Sequence, residues 1–191
     1  MKTIILMWNP AISSYKMDLF EDELESLGNE WGTEYNWSIH EYDKVEDGDR
    51  FYMVRCGNGN TGIVMSGVLT GEPYTGDDWA GRGRKIYYMD MEPDYIVHTD
   101  KVEHFISTEF LMRELPGFDW TGGHAGRVLP EDLAEKLENI WNEYTKKLKA
   151  EGCIDFQRVA HKDWSIQYKD DLEYYEEKVQ EIKNIIKRRR Y

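Results

Sequence analysis

The sequence predicts an α+β fold, in which a small mixed β-barrel is flanked by helices and followed by a C-terminal helical appendage. A run of short strands lies between helical segments. Residues 57–60 (Gly-Asn-Gly-Asn) form a hairpin connection between two apolar runs. Gly62 and Gly67 interrupt the second run as bends in a barrel wall do. In a chain of 191 residues, we therefore place one domain at 1–150 and an extension at 151–191.

The first fifty residues are predicted to begin with a buried strand at 3–8. Apolar residues at helical spacing over 17–28 predict a helix. Residues 29–40 alternate between aromatic or aliphatic and polar side chains, which predicts a second strand. The Asp-Gly pair within 46–49 indicates a turn.

The middle of the chain is predicted to hold most of the sheet. Apolar runs predict four strands there, separated by a Gly- and Asp-rich loop at 73–84 and by Pro93. These strands are 51–55, 61–70, 85–91 and 95–98.

Three helices are predicted in the second half of the chain. Residues 102–114 and 130–149 show apolar positions at helical spacing, and Pro130 lies in the first turn of the second of these helices. Residues 170–187 place Leu172, Val179, Ile182 and Ile186 on one stripe, which must pack on the barrel or pair with a second copy in a homodimer.

The composition of the chain excludes some classes of function. The formal charge is −13, and residues 18–50 hold twelve Asp and Glu against two basic residues. This charge argues against a broad phosphate-binding surface. Two cysteines and the absence of a zinc-type spacing suit a reducing, cytoplasmic location and predict neither metal nor cofactor. The apolar run at 1–8 is far shorter than the roughly 20 residues of a membrane span.

Several short motifs follow one another along the chain in an order that can be compared with known families. They are Trp8-Asn9-Pro10, an upstream Trp37, Gly48-Asp49, the glycine-punctuated strand from Gly62 to Gly67, and Glu72-Pro73. Over roughly residues 1–130, this order resembles the EVE and ASCH branches of the PUA-like superfold. Pro10 stands only two residues after Trp8, whereas the family opening is Trp-x-x-Pro. The resemblance implies a barrel with one recess for a flipped or modified base in RNA or DNA, read by an aromatic wall and a few hydrogen bonds.

The resemblance makes Trp37 the stacking candidate, with Asn9 and Ser14 as polar readers. A second cluster at 77–85 adds Arg side chains for a phosphate and Trp79 for stacking. The full set of predicted ligand-binding residues is Asn9, Ser13, Ser14, Trp37, Arg55, Trp79, Arg82, Arg84 and His124. Structural alternatives stay open: Trp37 as a core residue, Ser13 or Ser14 as a helix cap, and Arg82 and Arg84 as surface partners of Asp77 and Asp78.

Three classes of function follow from these patterns. The first is a non-catalytic binding module for a nucleobase or nucleotide-like ligand. The second is an acidic inhibitor or immunity-type protein with a basic protein partner, favoured by the acidic 18–50 stretch. The third is an enzyme that uses His124 or the alternating acids Asp90, Glu92 and Asp94; no nucleophile accompanies His124 in a recognisable pattern.

Overall fold

The computed structural model describes residues 1–26, 35–150 and 157–158, and it is an α+β structure built on one mixed sheet. Its helices are α1 (Met17–Ser26), α2 (Thr108–Glu114) and α3 (Glu131–Ala150), with a short 3₁₀ turn at Tyr42–Lys44. Its strands are β1 (Thr3–Trp8), β2 (Tyr35–Ser38), β3 (Arg50–Arg55), β4 (Gly62–Asp77), β5 (Lys85–Val97), β6 (Arg127–Val128) and β7 (Gln157–Arg158).

The strands follow the order β2-β5-β4-β3-β1-β6, and β7 pairs with the far end of β5. Strands β1 and β3 run parallel in the register Thr3 to Arg50, whereas all other pairs are antiparallel. The segment between β1 and β3 holds α1 and β2, which supplies the long crossover that a parallel pair requires. The predicted α+β class, with a mixed sheet and helices, is therefore confirmed, whereas the sheet is not closed into the predicted barrel.

The two ends of this sheet, β2 and β6, are not paired as strands, yet backbone hydrogen bonds connect them. The amide of His40, just after β2, donates to Ala125 O at 2.9 Å, and the amide of Glu41 donates to Gly126 O at 2.9 Å. Gly126 makes this approach possible, because a Cβ there would lie 2.4 Å from Ile39 Cα. We call this contact between residues 39–41 and 125–126 the seam.

The sheet buries side chains on both faces. One face, with Phe20 of α1, forms a cluster that includes Leu6, Trp8, Phe51 and Met91. Because side chains alternate along a strand, Tyr52 points to the other face, where its ring meets Trp141 of α3 edge-on at 5.7 Å. Helix α3 therefore covers the second face through its apolar stripe, as the period over 130–149 predicts.

Some element boundaries differ from the predictions. Strand β4 continues to Asp77, through the first part of the predicted loop at 73–84. Strand β5 runs unbroken through Pro93, because Pro93 lies at a register shift opposite Gly67, where a missing ladder donor is tolerated. Helix α2 begins at Thr108 rather than 102, with the Ser107 hydroxyl accepting from Phe110 N as its N-cap.

The predicted C-terminal helix at 170–187, with the homodimer proposed from it, lies outside the described residues. So do Leu27 and the first part of the predicted strand at 29–40. None of the helices within the described ranges has the length and apolarity needed to cross a membrane.

Candidate functional site

The site is built on a hairpin arm, which we define as residues 74–88. Strand β4 pairs with β3 only as far as Val68, but it continues to Asp77 and pairs there with the start of β5. Cross-strand partners in the arm include Tyr74 with Tyr88 and Asp77 with Lys85. The arm therefore extends past β3 and carries its connecting loop away from the core.

The loop at the tip of the arm is held by Asp78, whose side chain is almost completely covered. Its Oδ2 accepts from Arg84 Nε at 2.8 Å, and its Oδ1 accepts from Ala80 N at 2.9 Å. The Asp78 amide donates to Arg84 O at 3.0 Å. The hydrogen bond from Arg84 keeps the pKa of Asp78 below its usual value. The loop is therefore a fixed structure around one carboxylate.

This loop presents the indole of Trp79. The Trp79 amide donates to the hydroxyl of Tyr88 at 3.1 Å, and that hydroxyl donates in turn to Asp77 O at 2.7 Å. The Trp79 side chain is 39% exposed, and the Arg82 guanidinium lies 6.0 Å from its ring centroid. An exposed aromatic ring is thus held on a rigid backbone beside a cation.

Trp37 lies on β2, which pairs with β5 next to the arm. Its register partner is Met89, whereas Ser38 lies opposite Tyr88, so the Trp37 side chain is on the sheet face opposite to that of Tyr88. The Trp37 ring is half-buried against the core and meets Tyr15 edge-on at 6.0 Å. Trp37 is therefore partly a core residue, with a remaining exposed portion next to β5.

Asn9 and Ser13 shape the turn after β1. The Asn9 carbonyl accepts from Ile12 N and Ser13 N, and its side-chain Oδ1 accepts from Ala11 N at 3.1 Å. The Ser13 hydroxyl accepts from Tyr15 N at 3.1 Å, whereas Ser14 is exposed. These contacts support the turn, and they place Tyr15 against Trp37.

Arg55 lies elsewhere, where β3 ends. It is buried, and its guanidinium donates to Asp100 Oδ2 at 2.6 Å and to Thr99 Oγ1 at 3.1 Å. Thr99 and Asp100 follow the end of β5, whereas the arm includes its beginning. The structure therefore does not bring Arg55 together with Arg82 and Arg84.

His124 lies at the seam. Its ring stacks on that of His40, with centroids 4.3 Å apart and an interplanar angle of 14°. Both rings are exposed. The nearby Arg127 donates to Asp119 O and Gly122 O at 2.8 and 2.7 Å, so it stabilises the glycine-rich loop.

The alternating acids are divided among different partners. Asp90 accepts from the hydroxyl of Tyr74 at 3.0 Å on the arm side, and Glu92 is exposed. Asp94 accepts from Ser66 Oγ and pairs with Arg50 beneath α3. Within the described residues, no group of three or more His, Cys, Asp or Glu side chains is arranged to hold a metal ion.

Sequence reasoning missed two features. Tyr74 and Tyr88 flank the predicted loop, and their role emerges only when β4 is seen to extend past Thr70. A largely apolar cavity of about 500 Å³ also lies between residues 104–110 and α3, lined by side chains such as Phe105, Phe110, Ile140 and Tyr144. Its lining includes none of the nine predicted ligand-binding residues.

No protein-family model matches the sequence, and no curated protein matches it at a significant level.

Proposed function

We propose that this chain is a non-catalytic binding module of the PUA-like type, and that its ligand is a nucleobase or nucleotide-like group. A modified base in RNA or DNA is the ligand of first choice. Trp79 supplies the aromatic surface on which the base stacks, and Trp37, whose side chain is on the sheet face opposite to Tyr88, is a separate stacking candidate.

The observation that carries the proposal is the rigid presentation of Trp79. An exposed indole on a surface loop ordinarily loses conformational freedom when it binds a ligand. Here Asp78, Arg84 and the hydroxyl of Tyr88 already fix the backbone that carries it. Such preorganisation favours a stacking role, because every nucleobase offers a π-face to a fixed ring.

The seam supports the PUA-like part of the proposal. Two backbone hydrogen bonds join the segments at opposite ends of the sheet, and Gly126 is matched to that close approach. These contacts favour a barrel-like curvature of the sheet, although β2 and β6 are not paired as strands.

Local charge supports a nucleotide ligand in spite of the net charge of −13. The arm holds Asp77 and Asp78 against Arg82, Arg84 and Lys85, which is two acids against three bases and a local charge of +1. Arg82 and Arg84 each keep more than half of their side-chain surface exposed. A phosphate next to the bound base therefore meets more basic than acidic side chains within the arm itself.

Arg55 and His124 receive no direct part in this proposal, because each is engaged at another place in the fold. Asn9 and Ser13 act indirectly, by holding Tyr15 against Trp37. Ser14 is exposed on the same turn and remains available as a polar reader.

The test is fluorescence anisotropy at low salt with labelled single-stranded oligonucleotides that carry unmodified or N-methylated bases. Trp37→Ala and Trp79→Ala should each weaken binding by roughly tenfold, within the range for loss of one base–aromatic stack. The losses should add in the double variant, since the two rings do not share one base. Met112→Ala, an exposed apolar residue on α2, is the control and should bind normally. No binding of any oligonucleotide by the wild-type chain would overturn the proposal.

The acidic protein-interaction role is a second candidate, supported by the exposed acids Asp18 and Asp22 on α1. It predicts that a labelled lysine-rich peptide binds the chain and that Asp18→Asn with Asp22→Asn weakens this binding. Trp79→Ala should leave the peptide affinity unchanged. If Trp79→Ala weakens oligonucleotide binding, and the Asp18→Asn and Asp22→Asn changes do not weaken peptide binding, the base-binding module is favoured.

A further inference from the structure

The arm carries a second aromatic surface beside Trp79. Tyr74 and Tyr88 are directly opposite each other across β4 and β5, so their side chains share one face. Their ring centroids are 6.1 Å apart and their planes differ by 25°. Tyr74 is 40% exposed, and Tyr88 is half-buried. We call this pair the tyrosine platform.

Both rings of the platform are fixed at their hydroxyl ends. Tyr74 donates to Asp90 Oδ1 at 3.0 Å, and Tyr88 donates to Asp77 O at 2.7 Å. Gly76 lies beneath the Tyr88 ring, and a Cβ there would come within 2.9 Å of Tyr88 Cε2. The absent side chain lets the ring lie close to the strand. The platform is therefore rigid before any ligand arrives.

The platform and Trp79 are contiguous. The Trp79 amide donates to the hydroxyl of Tyr88, so the loop that carries the indole begins where the platform ends. Arg82 and Arg84 lie in the same loop; both pair with Asp78, and each keeps more than half of its side-chain surface exposed. An aromatic surface followed by cations matches the alternation of bases and phosphates along a single strand.

We propose that the tyrosine platform stacks the nucleotide adjacent to the base held by Trp79. The ligand class is then a single-stranded nucleic acid of at least two nucleotides, rather than a free nucleoside or a duplex. In a duplex the base faces are already stacked on their neighbours and cannot reach the platform. This inference rests on the proposed function and adds the flanking nucleotide to it.

The test compares three probes on one protein: a nucleoside 5′-monophosphate, a single-stranded tetranucleotide that contains the same base, and a blunt duplex. The wild-type chain should bind the tetranucleotide at least about tenfold more tightly than the monophosphate, and the duplex more weakly than the tetranucleotide. Tyr74→Ala should remove most of the tetranucleotide advantage and leave monophosphate affinity unchanged.

Two further variants separate stacking from folding. Tyr74→Phe keeps the ring and should retain affinity within about threefold, whereas Tyr74→Leu keeps an apolar strand residue but should behave like Tyr74→Ala. Thr75→Ala lies on the opposite face of the arm and should bind every probe normally. Circular dichroism on each variant verifies that the fold is retained.

The test distinguishes failure of the tyrosine platform from failure of the proposed function. If the monophosphate and the tetranucleotide bind equally and Trp79→Ala weakens both, the proposed function stands and the platform is overturned. Equal weakening of both probes by Tyr74→Ala also overturns the platform, because the residue would then be structural. If neither probe binds the wild-type chain, the proposed function fails and the platform fails with it.

Discussion

The indole N–H of Trp141 donates a 3.0 Å hydrogen bond to the hydroxyl of Ser66, which joins α3 to the middle of β4. Ser66 donates in turn to Asp94 at 2.5 Å, and Asp94 pairs with Arg50. Arg50 also reaches Glu138 on α3 at 3.3 Å. A chain of polar contacts therefore anchors the helix at two points on the sheet.

Ser66→Ala should destabilise the protein by roughly 1–3 kcal/mol, because it leaves the Trp141 N–H buried without an acceptor and removes one donor from Asp94. Urea denaturation followed by circular dichroism measures the loss. Thr75→Ala, on the exposed arm, is the control and should change the free energy of unfolding by less than about 0.5 kcal/mol. Equal stability of Ser66→Ala and wild type would show that the contact contributes nothing.

Tyr52 extends this network and gives it a pH dependence. Burial raises the pKa of Tyr52 well above its ordinary value of 10, and its hydrogen bond to Glu138 acts in the same direction. The folded chain therefore keeps a proton that the unfolded chain releases above pH 10. Stability must fall as pH rises beyond that point.

Tyr52→Phe should consequently show two opposite effects. At pH 7 it should lower the free energy of unfolding by roughly 1–3 kcal/mol, through loss of the bond to the Glu138 carboxylate. At pH 11 the gap to wild type should be smaller than at pH 7 by about 1.4 kcal/mol, because the variant has no phenol to ionise on unfolding. Urea titrations at both pH values measure this, and a gap that widens with pH would contradict the assignment.

The sequence predicts the apolar parts of this structure well. A continuous apolar run gives β1, whose residues are all buried, and periodicity gives α1 and α3 close to their observed bounds, since burial of one face sets the helical patterns. Neither pattern gives the extension of β4 to Asp77, because that segment is largely exposed and its pairing depends on the partner strand. Pro93 wrongly predicts a break between two strands for a similar reason. The strand tolerates this proline because of the register shift opposite Gly67, which the local sequence does not show.

The candidate site is predictable only in part. Trp79, Arg82 and Arg84 stand out because aromatic and cationic residues share a glycine-rich loop. Arg55 has the same residue type, yet it belongs to a buried pair with Asp100, a residue 45 positions away in the sequence. Such long-range partners leave no local pattern, so residue type alone cannot separate a ligand-binding arginine from a structural one.

Substitution of Gly126 by alanine measures how much the seam contributes to stability. Gly126 has a φ of +72°, and a Cβ on it would lie 2.4 Å from Ile39 Cα and 2.8 Å from His40 N. Gly71 has the same φ of +72°, but a Cβ on it would meet no atom within 4 Å, so it is a matched control. Gly71→Ala should cost about 1–2 kcal/mol for backbone strain alone.

Gly126→Ala should cost roughly 1–3 kcal/mol more than Gly71→Ala, because the methyl group must push the two segments of the seam apart. Thermal and urea unfolding of both variants measure the difference. If the two substitutions cost the same, the seam accommodates a side chain and does not hold the ends of the sheet together.

Asp78 should govern the order of the Trp79 loop at acidic pH. Its pKa lies below the ordinary value of 3.8, because Arg84 hydrogen-bonds the charged form and the Ala80 amide does the same. For a carboxylate with a lowered pKa, the stabilising contacts are complete above the ordinary value and are lost as pH falls through the folded pKa. The loop should therefore stay intact from neutral pH down to about pH 4 and loosen below it.

The amide chemical shifts of Trp79 and Ala80, followed by NMR from pH 7 to pH 2, measure this transition. The midpoint should fall below 3.8, and Asp78→Asn should abolish it. The same variant should weaken oligonucleotide binding at neutral pH by roughly threefold or more, since the indole is no longer held in place. Asp77→Asn, at an exposed position beside Lys85, should leave both the midpoint and the affinity unchanged. A midpoint above 3.8 would mean that Arg84 does not stabilise the carboxylate, and the fixed Trp79 loop would lose its basis.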